Sequence, residues 1–354
     1  MLNYGNDNSS ALEAKFKAQK IAFAPVMFQA ARALRNLGIL ELLMKERKGL
    51  KTEEIASRLK LSIYGVKVLL EAGLSLEVVR VQNDLWLLTK TGYFLQYDAL
   101  TRVNMDFTHD VNYQGMFHLE ESITEGKPAG LKVFGEWDTV YEGLFQLPEE
   151  ALKSWLAFDH FYSDYAFPEL MPIVFRNKPA RIMDVGGNTG KFALECVSFD
   201  PGVKVTIVDL PGQVVKAEEA IAQKGFSDRI NTVATNLLEH SAALPEGADV
   251  IWMSQFLDCF SQVDVLSLLK RAKAAMQPES RLFILETYWD KQEFEASTYS
   301  LHATSLYFTC IANGCSQMYH SDDMLKLIAE AGLEVDESFE NIGVSHTLLT
   351  CKIK

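Results

Sequence analysis

The 354-residue chain is short of positive charge, with 34 lysines and arginines against 47 aspartates and glutamates and a net charge of −13. A surface that acidic repels phosphate backbones and anionic headgroups, which argues against nucleic acid or membrane as the main partner. Long apolar runs are missing as well: no stretch approaches the ~20 residues of a membrane span. The opening segment MLNYGNDNSS is polar and lacks a signal-peptide core, so a cytoplasmic protein is expected. Only five cysteines occur (Cys196, Cys259, Cys310, Cys315, Cys351), with no C-x-x-C pair and no Cys/His spacing suited to a metal. Reduced thiols are expected, and no structural metal. Two phosphate-binding signatures also fail at the glycine-rich stretch ARIMDVGGNTGKFALE, residues 180–195. Val185 stands where G-x-G-x-x-G needs its first glycine, and Phe192 follows Lys191 where a P-loop needs Ser or Thr. Asp184, at the mouth of the preceding strand, would repel a pyrophosphate.

What remains is an ordinary globular composition, 48% hydrophobic and 23% charged, in a chain long enough for two domains. Residues 11 to about 100 begin with a stretch, ALEAKFKAQKIAFAPVMFQAARALRNLGILELLMK, that is helical in period and apolar on more than one face, as suits a helix buried in a dimer. LKTEEIASRLKLSIYGVKVLLEAGL then predicts a helix capped by Thr52, a turn, and a second helix closed by Gly73. LEVVRVQNDLWLLT alternates about Asn83-Asp84 as a hairpin. Helix, turn, helix and hairpin spell a winged helix. A DNA-reading winged helix should carry several Arg, Lys, Asn or Gln on its second helix, and SIYGVKVLLEAGL offers only Lys67, so the module reads as a dimerisation element.

Residues 101–178 are mostly helical and rich in aromatics, which are expected mainly in the core. One face of the helix bearing Phe158, His160, Phe161, Tyr162 and Tyr165 could roof a pocket. From 179 to 354 strands and helices alternate: RIMDV, KVTIVDL, INTVAT, DVIWMSQFL, RLFILETYW, LEVDESFE and SHTLLTCKIK. This alternation predicts an α/β domain with a Rossmann-like, doubly wound parallel sheet and an antiparallel strand near its end. Ligands in such sheets sit at the carboxyl ends of strands, where Asp184, Asp209, Ser254 to Leu257 and Glu286 all fall. Asp209 comes 19 residues after Gly190, the distance at which an acid meets a ribose diol. An acid, a glycine turn opening a helix, and a second acid after the next strand describe a cofactor with an amino-acid head and a nucleoside tail. S-adenosylmethionine has that shape.

The stretches TEEIASRL, WLLTKTGYFL, ITEGKPAG, DVGGNTG, VDLPGQVVKAEE, LPEGADVIWMSQFL, LLKRAKAAMQPESRLFILE and IAEAGL together resemble the class I S-adenosylmethionine-dependent O-methyltransferases of the hydroxyindole and caffeate type, from about residue 20 to the C-terminus. The resemblance implies a winged-helix dimerisation domain (1–100), a helical linker and substrate-pocket region (101–178) and a catalytic domain (179–354). It implies that Gly186, Gly187 and Gly190 admit the methionyl part, that Asp209 binds the ribose and that Asn236 and Leu237 meet the adenine, with Asp184, Leu210, Ser254 and Phe260 completing the cofactor site. Where such proteins commonly have Asp, Asn236 would accept the adenine amino group through its amide oxygen.

The departure lies in SQFLDCFSQVDVLSLL. Relatives typically read L-H-D-W there, the His being the general base, and this chain has Leu257, Asp258, Cys259 and Phe260. The acid expected in a G-x-E-R-T segment is also replaced, by GCSQMYHSDD, although Glu286 is kept. An ordinary Asp, pKa ~3.9, takes a proton from a phenol, pKa ~10, at a cost of about 6 units or ~8 kcal/mol. Burial raises such a carboxylate and narrows that gap, so Asp258 is the expected replacement base, with Glu286 beside it. His160, His302 and His320 are the other candidates, each more often structural. Phe158, Phe161, Tyr162, Trp289, Tyr307, Phe308 and Met318, with His160 and His302, are the expected pocket lining, which suits a flat aromatic or an acidic acceptor bearing a hydroxyl. Three readings stay open: O-methylation of a small molecule by a homodimeric enzyme; the same cofactor with changed chemistry, such as C-methylation ortho to a phenol, hydroxylation or decarboxylation; and a non-enzymatic ligand sensor.

Overall fold

The computed structural model describes residues 7–354, and the first six residues of the polar opening segment lie outside them. Chain contacts divide it between Thr108 and His109 into two units.

The first unit opens with three helices where the sequence suggested one continuous stretch: α1 (Ala11–Ala22), α2 (Ala24–Asn36) and α3 (Ile39–Lys45). The breaks have local causes. Pro25 is accommodated in the first turn of α2, and Gly38 takes a left-handed φ of 78° before α3. Ser10 and Glu13 form a reciprocal cap on α1, yet no residue of α1 is buried, and Leu12, Phe16 and Ile21 face outward. The winged arrangement follows with α4 (Thr52–Leu59), α5 (Ile63–Ser75), β1 (Val79–Gln82) and β2 (Leu85–Leu88). Asn83 and Asp84, at φ 51° and 58°, make the two-residue turn that a tight hairpin requires.

Two boundaries differ from the sequence reading. The cap of α4 is Lys51, whose N–H donates to Glu54 at 2.8 Å, while Thr52 is the first helical residue and its hydroxyl accepts from Trp86 Nε1 at 3.0 Å. Gly73 does not close α5. It lies inside the helix, where a Cβ would come within 2.9 Å of Val79 Cγ2 and 3.1 Å of Leu34 Cδ1, so glycine serves close packing there. The exposed side of α5 shows Ile63, Tyr64 and Val68, an apolar surface. Helices α6 (Lys90–Tyr97) and α7 (Ala99–Phe107) complete the unit, and Asp106 of α7 accepts from Arg32 at 2.6 Å and from Arg35.

The second unit begins with α8 (Leu119–Glu125), α9 (Val140–Gly143), α10 (Glu149–Asp164) and α11 (Phe167–Val174). A seven-stranded sheet follows: β3 (Arg181–Val185), α12 (Lys191–Phe199), β4 (Lys204–Asp209), α13 (Pro211–Lys224), β5 (Ile230–Ala234), β6 (Val250–Ser254), α14 (Gln262–Ala275), β7 (Arg281–Glu286), α15 (Glu295–Tyr307), α16 (Ser321–Glu330), β8 (Leu333–Ile342) and β9 (His346–Ile353). The spatial order is β5-β4-β3-β6-β7-β9-β8, parallel except that β9 runs against both its neighbours. This is the doubly wound sheet the alternation predicts.

Residues of the inner strands β3, β4, β6 and β7 are buried on both faces, which is why they read as continuous apolar runs. Met183, Ile251, Met253, Leu282 and Ile284 pack with α14 and α16, whereas Ile182, Ile207, Trp252 and Leu285 pack with α11, α12 and α13. The indole of Trp252 stacks on Phe192 of α12 with centroids 4.1 Å apart. The chain reverses its direction of growth between β3 and β6, and the crevice beyond the carboxyl ends of the strands at that point is where ligands settle in such sheets.

Candidate active site

β3 delivers Asp184 to that crevice, and the glycine turn folds over it. Gly186 has a φ of 77°, and a Cβ there would lie 2.2 Å from the Phe256 ring; a Cβ on Gly187 would lie 2.6 Å from Asp184 Oδ2. No other residue type fits without displacing its surroundings. Gly190, at φ 78°, opens α12 and leaves a Cβ 3.2 Å from Ile207. Asp184 is buried with Oδ2 lacking a hydrogen-bond partner, and burial, then the charge of Asp209, pushes its carboxyl up to about 8. Asp209 ends β4. Its two oxygens accept the N–H groups of Asn188 at 2.8 Å and of Leu210 at 2.7 Å, and burial outweighs those bonds to hold it at about 6.

The β6 end carries the substituted motif. Asp258 is buried in a short 3-10 turn, and burial raises its carboxyl to about 7, with the charge of Asp159 adding to the rise. The Cys259 thiol donates to Asp258 Oδ1 at 3.5 Å and opposes that rise. Glu286, ending β7, accepts the N–H groups of Phe256 at 3.0 Å and Leu257 at 2.8 Å, while its Oε2 is buried without a partner. Burial first, and Asp258 second, raise Glu286 well above the carboxylate range. The nearby charge of Asp258 thus favours the protonated form of Glu286.

Around this pair, Asn313 Nδ2 donates to the Cys259 carbonyl at 2.6 Å, and the Tyr141 hydroxyl is in hydrogen-bonding contact with the Cys259 thiol. Tyr307 accepts from Trp155 Nε1 at 2.7 Å and feels the charges of Asp159 and Asp258. It is also the last residue of α15 before a π-helical turn, Phe308–Ala312, of the sort that re-aims side chains at functional sites.

The other residues singled out from the sequence are placed as follows. Phe158 and Phe161 of α10 pack on Tyr162 and Tyr165 at centroid distances of 5.0 Å each. His160 lies 3.9 Å from Asp159 and 3.8 Å from Asp164. Trp289, His302 and His320 form a separate aromatic group, and His320 accepts the Asp322 N–H as the cap of α16. Phe308 packs on Tyr307, and Met318 accepts the Thr287 hydroxyl at 3.5 Å. Leu237 is buried in the core, so only its backbone can meet a ligand, and the oxygen of exposed Asn236 already accepts the Leu238 N–H at 3.0 Å. Ser254 Oγ is buried without a partner, and Phe260 packs edge-on to Phe256 at 4.7 Å. Sequence reasoning missed Tyr141, Asp159, Asn188 and Asn313. Asn188 was within reach, since it sits inside the glycine turn; the other three come from stretches whose approach only the tertiary fold decides.

With this geometry in view, comparison with known families matches a Dimerisation2-like domain to residues 15–86 and an O-methyltransferase domain to residues 170–334. The chain is an S-adenosylmethionine-dependent methyltransferase. The methyltransferase is 22% identical over 326 residues to the L-tyrosine C(3)-methyltransferase of Streptomyces lavendulae, covering 91% of this chain and 87% of that one. It is 24% identical over 271 residues to the acetylserotonin O-methyltransferase of Macaca mulatta, covering 74% and 77%. Its fold matches the crystal structure of the S-adenosylmethionine-dependent methyltransferase SibL with a TM-score of 0.72 at 24% identity, over 95% of this chain and 98% of that one.

The crevice suits the cofactor on its own chemistry. A turn with no space for side chains admits a ligand against its backbone, and buried acids pushed above their ordinary range, one with an unpartnered oxygen, call for a cation. S-adenosylmethionine carries two, an ammonium and a sulfonium. Among the described residues no helix is long and apolar enough to cross a membrane.

Proposed function

We propose that this methyltransferase methylates the hydroxyl of a small aromatic molecule, with Asp258 as the base in place of a histidine. The observation that carries this reading is the buried Asp258 carboxyl, raised to about 7 and standing after β6 beside Glu286. Against a phenol of pKa ~10 the proton transfer is then uphill by about 3 units, or ~4 kcal/mol, half the cost for an ordinary aspartate. Glu286 fixes the backbone at Phe256 and Leu257. Gly186, Gly187 and Gly190 would take the methionyl part of the cofactor, Asp209 with Leu210 the ribose, and Asn236 with the Leu237 backbone the adenine. When bound, S-adenosylmethionine supplies an electrophilic methyl group on a positively charged sulfur. The charges acting on Asp258 come from other acids, which favours an uncharged hydroxyl over a carboxylate as acceptor.

A second reading keeps the same base. Removing a phenolic proton activates the ortho carbon as well as the oxygen, and likeness to a tyrosine C(3)-methyltransferase keeps C-methylation in view. Analysis of the product by NMR separates a methoxy from an aryl-methyl signal. Calorimetric titration with S-adenosylmethionine and S-adenosylhomocysteine tests the shared part. Micromolar binding lost in Asp209→Ala supports it, and no binding of either compound by the unaltered protein removes it.

A homodimer is proposed from the apolar surface of the N-terminal helices, where Leu12 is 79% and Ile21 75% exposed in the single chain. Light scattering giving a monomer would count against it.

A further inference from the structure

Helix α10 carries a carboxylate that neither the glycine turn nor the proposed base accounts for. Asp159 Oδ2 accepts from Asn188 Nδ2 at 3.2 Å, and the N–H of the same Asn188 donates to Asp209 at 2.8 Å. Asn188 holds a left-handed φ of 46° to reach both. Asp159 is thus one residue removed from the acid that ends β4. On its other side its charge acts on Asp258 and on Tyr307.

The remaining charged groups facing Asp159 do not neutralise it. Lys191 acts on Asp159 and favours its charged form, but Lys191 is itself ion-paired with Asp164, whose negative charge acts on Asp159 more strongly in the other direction. His160, 3.9 Å from Asp159, is kept below its ordinary range by burial, and so neutral at pH 7.

A donor with its ribose on Asp209 and its methyl group toward an acceptor deprotonated by Asp258 would have its sulfur between those two acids. Asp159 is linked to the first of these acids through Asn188, and its charge acts on the second. We propose that Asp159 faces the sulfonium of the donor and makes the protein distinguish the charged donor from its neutral product. The inference rests on the methyl-transfer reading above. As the acceptor oxygen forms its bond to the methyl carbon, the carbon–sulfur bond breaks with its electron pair left on sulfur, and the acceptor proton rests on Asp258. The sulfur is then uncharged, Asp159 loses its partner, and product release is favoured. The same carboxylate holds the charged ground state more tightly than a transition state whose sulfonium charge is fading, so its removal should weaken donor binding without slowing the bound complex.

The test is calorimetric titration of the full chain with S-adenosylmethionine and, separately, S-adenosylhomocysteine. Asp159→Asn keeps an oxygen for the Asn188 amide and removes only the charge. It is expected to weaken S-adenosylmethionine by about tenfold and S-adenosylhomocysteine by less than about twofold. In the unaltered protein the preference for the charged compound should grow as the pH rises through about 6, where Asp159 ionises, and that growth should vanish in the variant. Asn188→Gly tolerates the left-handed backbone and removes the hydrogen bond but not the charge; it should leave the ratio of the two affinities unchanged. Equal loss of both compounds in Asp159→Asn, or no loss of either, overturns the proposal and leaves the methyltransferase reading standing. Failure of the unaltered protein to bind either compound overturns both.

Discussion

At the glycine-turn end of the crevice the backbone does most of the shaping. Gly186 and Gly187 leave no room for a Cβ, and Asp209 is fixed by two N–H groups. At the Asp258 end the shape comes from side chains drawn from separate stretches, among them Tyr141, Trp155, Asp258, Tyr307 and Asn313. The first kind of construction tolerates little change, because an added Cβ meets the Phe256 ring at Gly186 or the buried Asp184 carboxylate at Gly187. The second can exchange one titratable group for another while its neighbours repack.

The largest expected effect breaks the backbone-built end. Gly186→Val forces a β-branched residue into a φ of 77° and a ring contact of 2.2 Å, so cofactor affinity should fall by at least 100-fold in calorimetry. Affinity within tenfold of the unaltered protein would mean that the turn yields more than its packing suggests.

Next comes the side-chain end. Asp258→Asn should lower kcat by about 10²- to 10³-fold while cofactor affinity stays within a few-fold. Because the base works ionised, the rate of the unaltered enzyme should climb as pH rises through about 7 and that inflection should disappear in the variant. A rate profile flat from pH 6 to 8 would take the base role away from Asp258.

A smaller effect compares the two ends by stability. Asp184, Asp209 and Asp258 sit at about 8, 6 and 7 in the folded protein against ~3.9 in an unfolded chain. Their folded values are raised, so their contribution is fully present below about pH 4 and is lost as pH rises through 6 to 8. The thermal midpoint of the cofactor-free protein should fall by several degrees over that window, and Asp184→Asn should flatten the upper part of the fall. His346, buried and held at about 4, acts in the opposite sense and costs stability as pH drops from 6.5 toward 4. A midpoint independent of pH from 5 to 8 would contradict both.

The smallest effect is at Cys259. Its thiol lowers the Asp258 carboxyl, so Cys259→Ala should move the rate inflection upward by less than about one pH unit, and Cys259→Ser, which keeps a donor, should move it less.

Sequence pattern alone determined the order of strands and helices, the turn at Asn83-Asp84, the glycine turn and the acids near the ends of β3 and β4, because period, glycine placement and strand-end position are local properties of the chain. It merged α1, α2 and α3, since a proline in a first helical turn and one left-handed glycine barely disturb a hydrophobic period. It misread Gly73, whose small size answers to Val79 and Leu34 on other elements. What only the tertiary structure decided is the electrostatics of the crevice. An acid's protonation depends on how deeply it is buried and which charges face it, and the approach of Asp159 to Asp209 and Asp258, which follow it by 50 and 99 residues in the chain, is set by packing that no local pattern records.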